Sequence, residues 1–201
     1  MASKKKLEIA LSKINMGGND YKLQQYPTPP HIAAELLWFA FMNGDIEGKM
    51  VADFGAGNGI FAIGSKILGA KKVYAVEIDR KMMEICKKNA GDYGIEFVLS
   101  DINDFNMKVD TVIMNPPFGR KPFHRDRFFL KKAFELCKKI YSIHTANSFE
   151  FLRRFAEENG FKCEKLKEFD FPLKYSYKWH RKPMKNFRAA MLMFSKLPTN
   201  T

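Results

Sequence analysis

Apolar segments alternate in length and period between Lys49 and His144, and this alternation constrains the fold more than any other feature. Lys49 to Phe54, Lys72 to Ile78, Ile95 to Ser100, Val109 to Met114 and Ile140 to His144 are short apolar runs that read as strands. Between them, Ile60 to Leu68, Arg80 to Asn89 and Arg127 to Lys139 carry helical spacing, the last with an expected core face of Phe128, Phe129, Leu130, Ala133, Phe134 and Cys137. A strand–helix alternation predicts an α/β fold with a mostly parallel sheet and helices on both faces. Phe149 to Asn159 predicts a further helix, closed by Gly160. Phe161 to Phe171 and Ala189 to Ser195 predict two last strands without a helix between them, hence an antiparallel edge hairpin and seven strands in all.

Two helices are expected before the sheet, Ser3 to Ile14 and His31 to Met42, with Gly17 and Gly18 ending the first and an apolar face of Ile32, Leu36, Leu37 and Phe41 on the second. The prolines of Leu23-Gln24-Gln25-Tyr26-Pro27-Thr28-Pro29-Pro30 stiffen the loop between them. The chain therefore divides into an N-terminal helical extension, 1–48, and a core, 49–201, in one compact unit. At 201 residues it is long enough for one sizeable hydrophobic core. No apolar run approaches a membrane span and Met1 to Lys6 lack a signal-peptide core, so a cytoplasmic protein is expected. Cys86, Cys137 and Cys163 are too few and too scattered for a disulfide framework or zinc site, and the four histidines lack ligand spacing; no metal is expected.

The tetrapeptide Asn115-Pro116-Pro117-Phe118 stands at the C-terminal end of the fourth strand. The Asn side-chain oxygen and the Pro116 carbonyl can accept both hydrogens of a planar amine, while the Phe118 ring stacks on its face. Upstream, Val51-Ala52-Asp53-Phe54-Gly55-Ala56-Gly57-Asn58-Gly59 leaves a strand and enters a helix. Glycines 55, 57 and 59 allow close backbone approach and positive φ, but the third comes too early for a dinucleotide fingerprint, and Asp53 would repel a pyrophosphate. The pattern resembles the nucleotide loop of S-adenosylmethionine-dependent methyltransferases, where an acid suits the cationic amino group of the methionine moiety. In Val76-Glu77-Ile78-Asp79, an acid can take both ribose hydroxyls; the resemblance selects Glu77, and Asp79 is expected to cap the next helix. Asp101 would accept from the adenine 6-amino group, with Ile102 packed on the ring.

Asp/Asn-Pro-Pro-aromatic after the fourth strand resembles the signature of amino methyltransferases acting on N6 of adenine, N4 of cytosine, N2 of guanine or protein glutamine. An exocyclic amine conjugated to a ring is a poor nucleophile, and accepting both its hydrogens localises the lone pair on nitrogen. No strong base is needed, which agrees with the lack of His or Lys in the motif. Phe118 would stack on a base turned out of its helix or loop.

The likeness extends along the chain. Leu23 to Ala34, Asn115 to Gly119, Ile140 to His144 and Ser176 to His180 resemble segments of the methyltransferase-like protein 5 family of ribosomal RNA N6-adenine methyltransferases and its archaeal relatives. The resemblance implies a class I methyltransferase (Rossmann-like) fold, S-adenosyl-L-methionine as methyl donor, an adenine of small-subunit ribosomal RNA as acceptor, and a small zinc-binding activator of the Trm112 type as partner. It also implies that Gln25, Tyr26 and Thr28 close over the cofactor and help build the acceptor pocket.

A net charge of +12 and a pI near 9.5 agree with a polyanionic partner. From Phe171 to Phe194 six cations occur and no acid. Tyr177, Lys178, Trp179, His180 and Arg181 mix rings and cations as single-stranded RNA binders do, and Arg120 and Lys121 suit phosphate contacts beside the hook. A protein glutamine methyltransferase uses a similar hook, but usually with Tyr as the aromatic, and the basic C-terminal region suits RNA better. A DNA adenine methyltransferase ranks lower because the chain has no target-recognition domain. A non-catalytic RNA-binding assembly factor would be expected to have lost some of Asp53, Glu77, Asp101 and Asn115.

Overall fold

The computed structural model describes residues 3–15, 27–117, 125–172 and 187–198. Gln25, Tyr26, Phe118, Arg120, Lys121 and the Tyr177-to-Arg181 group, as well as Gly17 and Gly18, lie outside the described residues.

Two helices precede the sheet: α1 (Lys4–Leu11), capped by the Ser3 hydroxyl on the Lys6 N–H, and α2 (Pro30–Met42). Pro30 occupies the first turn of α2, where its missing N–H costs nothing. The alternating region follows as β1 (Met50–Phe54), α3 (Ile60–Ile67), β2 (Lys72–Glu77), α4 (Arg80–Ala90), β3 (Glu96–Leu99), β4 (Thr111–Met114), α5 (Arg125–Leu136) and β5 (Lys139–Thr145). Helix α6 (Phe149–Glu158) and strands β6 (Phe161–Phe171) and β7 (Phe187–Lys196) complete it.

The seven strands form one sheet in the order β3-β2-β1-β4-β5-β7-β6. The first five pair in parallel, and β7 runs antiparallel to both its neighbours, inserted between β5 and β6. This is the mostly parallel seven-stranded sheet expected from the sequence. The expected hairpin forms at the sheet edge, with β6 outermost, because the apolar β7 is buried on both faces while β6 carries exposed charged residues.

Each face of the sheet has its own core. One holds Leu7 and Leu11 of α1, Ile32, Leu36 and Leu37 of α2, and α3 and α4, so the N-terminal helices share the core of the sheet. On the other, α5 and α6 pack with Phe54, Met114, Ile140, Phe161 and Phe194. Phe134 stacks on Phe161 at 4.3 Å between ring centroids, an aromatic pair contributing about 0.5–1.5 kcal/mol beyond its buried area. The expected core face of α5 needs one correction. Leu130, Ala133 and Phe134 are buried, but Phe128 is 57 % exposed. At about 100° per residue it points away from the stripe that the other three define. In α2, Phe41 is only partly buried, and Ala33, Ala34 and Ala40 are buried beside Ile32, Leu36 and Leu37.

The C-terminal turn of α2 is bonded to the sheet. Asn43 donates to the Tyr141 hydroxyl at 2.9 Å, Tyr141 donates to the Asp45 carboxylate at 2.7 Å, and Thr111 donates to the Asp45 carbonyl at 2.7 Å. Burial and the Asp45 carboxylate push the Tyr141 hydroxyl pKa upward. All three cysteines are buried free thiols, and no group of potential metal ligands occurs among the described residues.

Candidate active site at the carboxyl ends of the strands

Register brings the sequence-predicted residues into one row. Phe54 pairs with Met114 on one side and Val76 on the other, and Glu77 pairs with Leu99. Asn115, Gly55, Glu77 and the Ser100–Asp101 step therefore stand at the ends of four adjacent strands, roughly 4.8 Å from one strand to the next. Open parallel sheets bind ligands in this crevice, where strand order reverses between β1 and β4.

The glycine loop between β1 and α3 is held from β2. Gly55 and Ala56 donate to the Val76 carbonyl at 2.9 and 3.0 Å, and Gly57 donates to Glu77 Oε2 at 2.8 Å. Gly55, Gly57 and Gly59 all have positive φ, as their spacing predicted. A Cβ on Gly59 would meet the Cys86 sulfur at 2.7 Å, and one on Gly55 would meet the Phe129 ring at 3.4 Å. Phe129, which the sequence places on the core face of α5, packs its ring against the loop's first glycine. Only the fold brings it to the site.

Each acid has a distinct setting. Asp53 is buried; its Oδ2 accepts from the Ala62 N–H at 2.9 Å and thereby ties β1 to the first turn of α3. Burial pushes its carboxyl up to about 8, with the Glu77 charge adding to the rise and the Ala62 bond opposing it. Glu77 is also buried and its pKa is raised, again chiefly by burial. Besides Gly57 it accepts the Ile78 and Asp79 N–H groups on Oε1, at 3.0 and 2.9 Å. Three of its roughly four acceptor positions are thus filled by backbone. Glu77 therefore builds the loop, a role that spacing alone did not suggest. Asp79 caps α4 through the Lys81 and Met82 N–H groups, as expected. Asp101 caps a single 3-10 turn at Ile102–Asp104, with Oδ1 accepting from the Asn103 N–H and side chain. Ile102 is buried.

Asn115 extends directly from β4, and Pro116 behind it is buried while Pro117 is half-buried. The Asn115 Nδ2 donates to the Thr28 hydroxyl at 2.9 Å. Thr28, at the entrance to α2, is 4 % exposed.

Three buried side-chain polar atoms among the described residues lack a hydrogen-bond partner: Asp53 Oδ1, Ser100 Oγ and Asn115 Oδ1. All three are at or beside the carboxyl ends of strands, on β1, β3 and β4. An unpaired buried polar atom costs about 1–3 kcal/mol, so three along one crevice fit a site built to receive a polar ligand. The carboxyls of Asp53 and Glu77, the open loop and the Asp101–Ile102 corner fit the ammonium, ribose and adenine of S-adenosylmethionine. In the sequence Ser100 marks only the end of a strand; its position just before Asp101 is the one signal that singles it out.

The strand order, the glycine loop and the acids at successive strand ends define a class I S-adenosylmethionine-dependent methyltransferase. The model of the ribosomal protein L11 methyltransferase (PrmA) family matches residues 31–115, the stretch that carries the loop and the acids. An uncharacterized protein of Methanocaldococcus jannaschii is 34 % identical over the whole chain and 98 % of its own length. The rRNA N(6)-adenosine-methyltransferase METTL5 of Danio rerio is 32 % identical over 95 % of this chain and 98 % of its own. A crystal structure of a candidate RNA methyltransferase from Pyrococcus horikoshii superposes with a TM-score of 0.88, at 41 % identity, covering 98 % of this chain and all of that one. The chain belongs to the METTL5 family of rRNA N6-adenosine methyltransferases.

Proposed function

We propose that this protein is an S-adenosylmethionine-dependent methyltransferase that modifies N6 of an adenine in small-subunit ribosomal RNA, in the cytoplasm. The observation that carries the reading is the buried, unpaired Asn115 Oδ1 at the end of β4, in the same crevice as the glycine loop. An acceptor without a donor suits a substrate amine. Family membership supports adenine over glutamine as the source of that amine, and a charge of +12 suits RNA.

The donor, when bound, supplies an electrophilic methyl group. Asp53 Oδ1 meets its ammonium; near neutral pH the buried carboxyl gives up its proton to make that pair. Glu77 shapes the loop with three backbone bonds and offers its remaining lone pair to a ribose hydroxyl. Asp101 and Ile102 take the adenine of the donor, and Gln25 and Tyr26 close over it. Asn115 Oδ1 and the Pro116 carbonyl accept the hydrogens of the target amine, holding its lone pair in line and stabilising the positive charge that grows on nitrogen. Phe118 stacks on the target base once it is turned out. Arg120, Lys121, Lys178, His180 and Arg181 hold phosphates, and Tyr177 and Trp179 stack on neighbouring bases. A Trm112-type activator is the proposed protein partner; β3, at one sheet edge with Leu99 exposed, is a surface open to one.

The test is to incubate the protein with labelled donor and small-subunit RNA, with and without a Trm112-type protein, then digest the RNA and identify nucleosides by mass spectrometry. N6-methyladenosine is the expected product. Methylated protein with unmodified RNA would overturn the reading in favour of a glutamine acceptor.

A further inference from the structure

The hook's amide has two ends, and only one of them can accept a substrate hydrogen. The terminal torsion of an Asn side chain is broad and roughly two-fold, so the backbone of β4 does not choose which end faces the crevice. If Nδ2 faced it, a donor would meet the donors of the incoming amine. Something beside Asn115 must set the amide, and among the described residues its side chain bonds to Thr28, where Nδ2 donates to Oγ1 at 2.9 Å. That bond leaves Oδ1 as the free end, buried and unpaired.

The mount of Thr28 is suited to this. Prolines stand on both sides, at 27 and at 29–30, and fix the neighbouring φ angles. Pro29 is held at φ −58° and ψ 142°, and its carbonyl accepts from Ile32 and Ala33 in the first turn of α2. The far end of α2 is tied to β4 and β5 through Asp45, Thr111 and Tyr141. Helix α2 is thus fastened at both ends to the strand that carries Asn115, and the Thr28 hydroxyl is placed by the scaffold rather than by a mobile side chain.

We propose that Thr28 is a positioning residue for the methyl-transfer step: its hydroxyl accepts from Asn115 Nδ2 and thereby presents Oδ1 to the amine of the acceptor. This goes beyond a lid role and rests on Asn115 holding that amine. In Thr28→Val, which keeps the shape and loses the acceptor, Nδ2 has no partner in its buried position. Without that acceptor nothing holds the amide with Oδ1 toward the acceptor amine, and the productive orientation loses population.

The test measures kcat at saturating donor and donor affinity by calorimetry for wild type, Thr28→Val and Thr28→Ser, on whichever acceptor the wild type methylates. Turnover in Thr28→Val should fall about 5- to 100-fold, the penalty for an unpaired buried donor, while donor affinity stays within about twofold. Thr28→Ser, which restores the oxygen, should return most of the rate. Three results would overturn the proposal: wild-type turnover in Thr28→Val; a loss in donor affinity with kcat intact, which makes Thr28 a donor ligand; or Thr28→Ser as impaired as Thr28→Val. A wild type that methylates glutamine would refute the adenine reading and leave the Thr28 comparison valid.

Discussion

Asn115 and Asp53 each hold one bonded and one unbonded polar end in a buried setting, and each makes a separate prediction. Asn115→Ala removes the proposed acceptor for the amine and nothing from the glycine loop. Turnover should fall about 10²–10³-fold, with donor affinity nearly unchanged by calorimetry. Asp53 tests the electrostatics. Its carboxyl is held up to about 8, against 3.8 when exposed. The folded state therefore keeps a proton that the unfolded chain releases at a lower pH. This contribution to stability is complete below about pH 4 and is lost as pH rises to about 8. Asp53→Asn has no proton to lose, so in thermal melts of the free protein the melting temperature of the variant should gain on wild type from pH 5 to pH 8. A constant difference across that range would mean that burial does not shift the group.

Among elements, the loop between β1 and α3 depends on a single atom's space. Gly59 has φ +85°, and a Cβ there would be 2.7 Å from the Cys86 sulfur on α4. Gly59→Ala should cost about 1–3 kcal/mol in urea unfolding through strained backbone and the forced shift of α4. An unchanged midpoint would show that α4 yields freely. The need for glycine was legible in the sequence; the identity of the neighbour was not, because Cys86 lies 27 positions away. Helix α5 shows the opposite limit. Its apolar residues were counted as one face, yet Phe128 points outward. Composition within a helix says how many apolar residues there are, and angle decides which of them are buried.

For the whole molecule, charge is the property that the fold does not explain. Surface ion pairs such as Arg153 with Glu150 and Glu157, or Lys167 with Glu35, leave the excess untouched, because their acids are already counted in the net charge of +12. Lys178 and Arg181 lie in the acid-free stretch between β6 and β7. If they contact phosphates, the double substitution to Ala should weaken RNA binding and reduce the log–log salt slope by about 0.7 per lost contact on single-stranded RNA. An unaltered slope would place the RNA elsewhere.

The sequence by itself determined the sheet and its helices, the glycine loop, the capping role of Asp79 and the Asn115 hook, because each is written in local period or in contiguous motifs. Tertiary structure alone decided the rest. It put β7 inside β6, filled the Glu77 carboxylate with three backbone donors, set Phe129 against Gly55 and joined Thr28 to Asn115. The contacts of Gly57 with Glu77 and of Thr28 with Asn115 span 20 and 87 positions; strand register and helix packing make them, and no local pattern encodes which distant atom fills a given hydrogen bond.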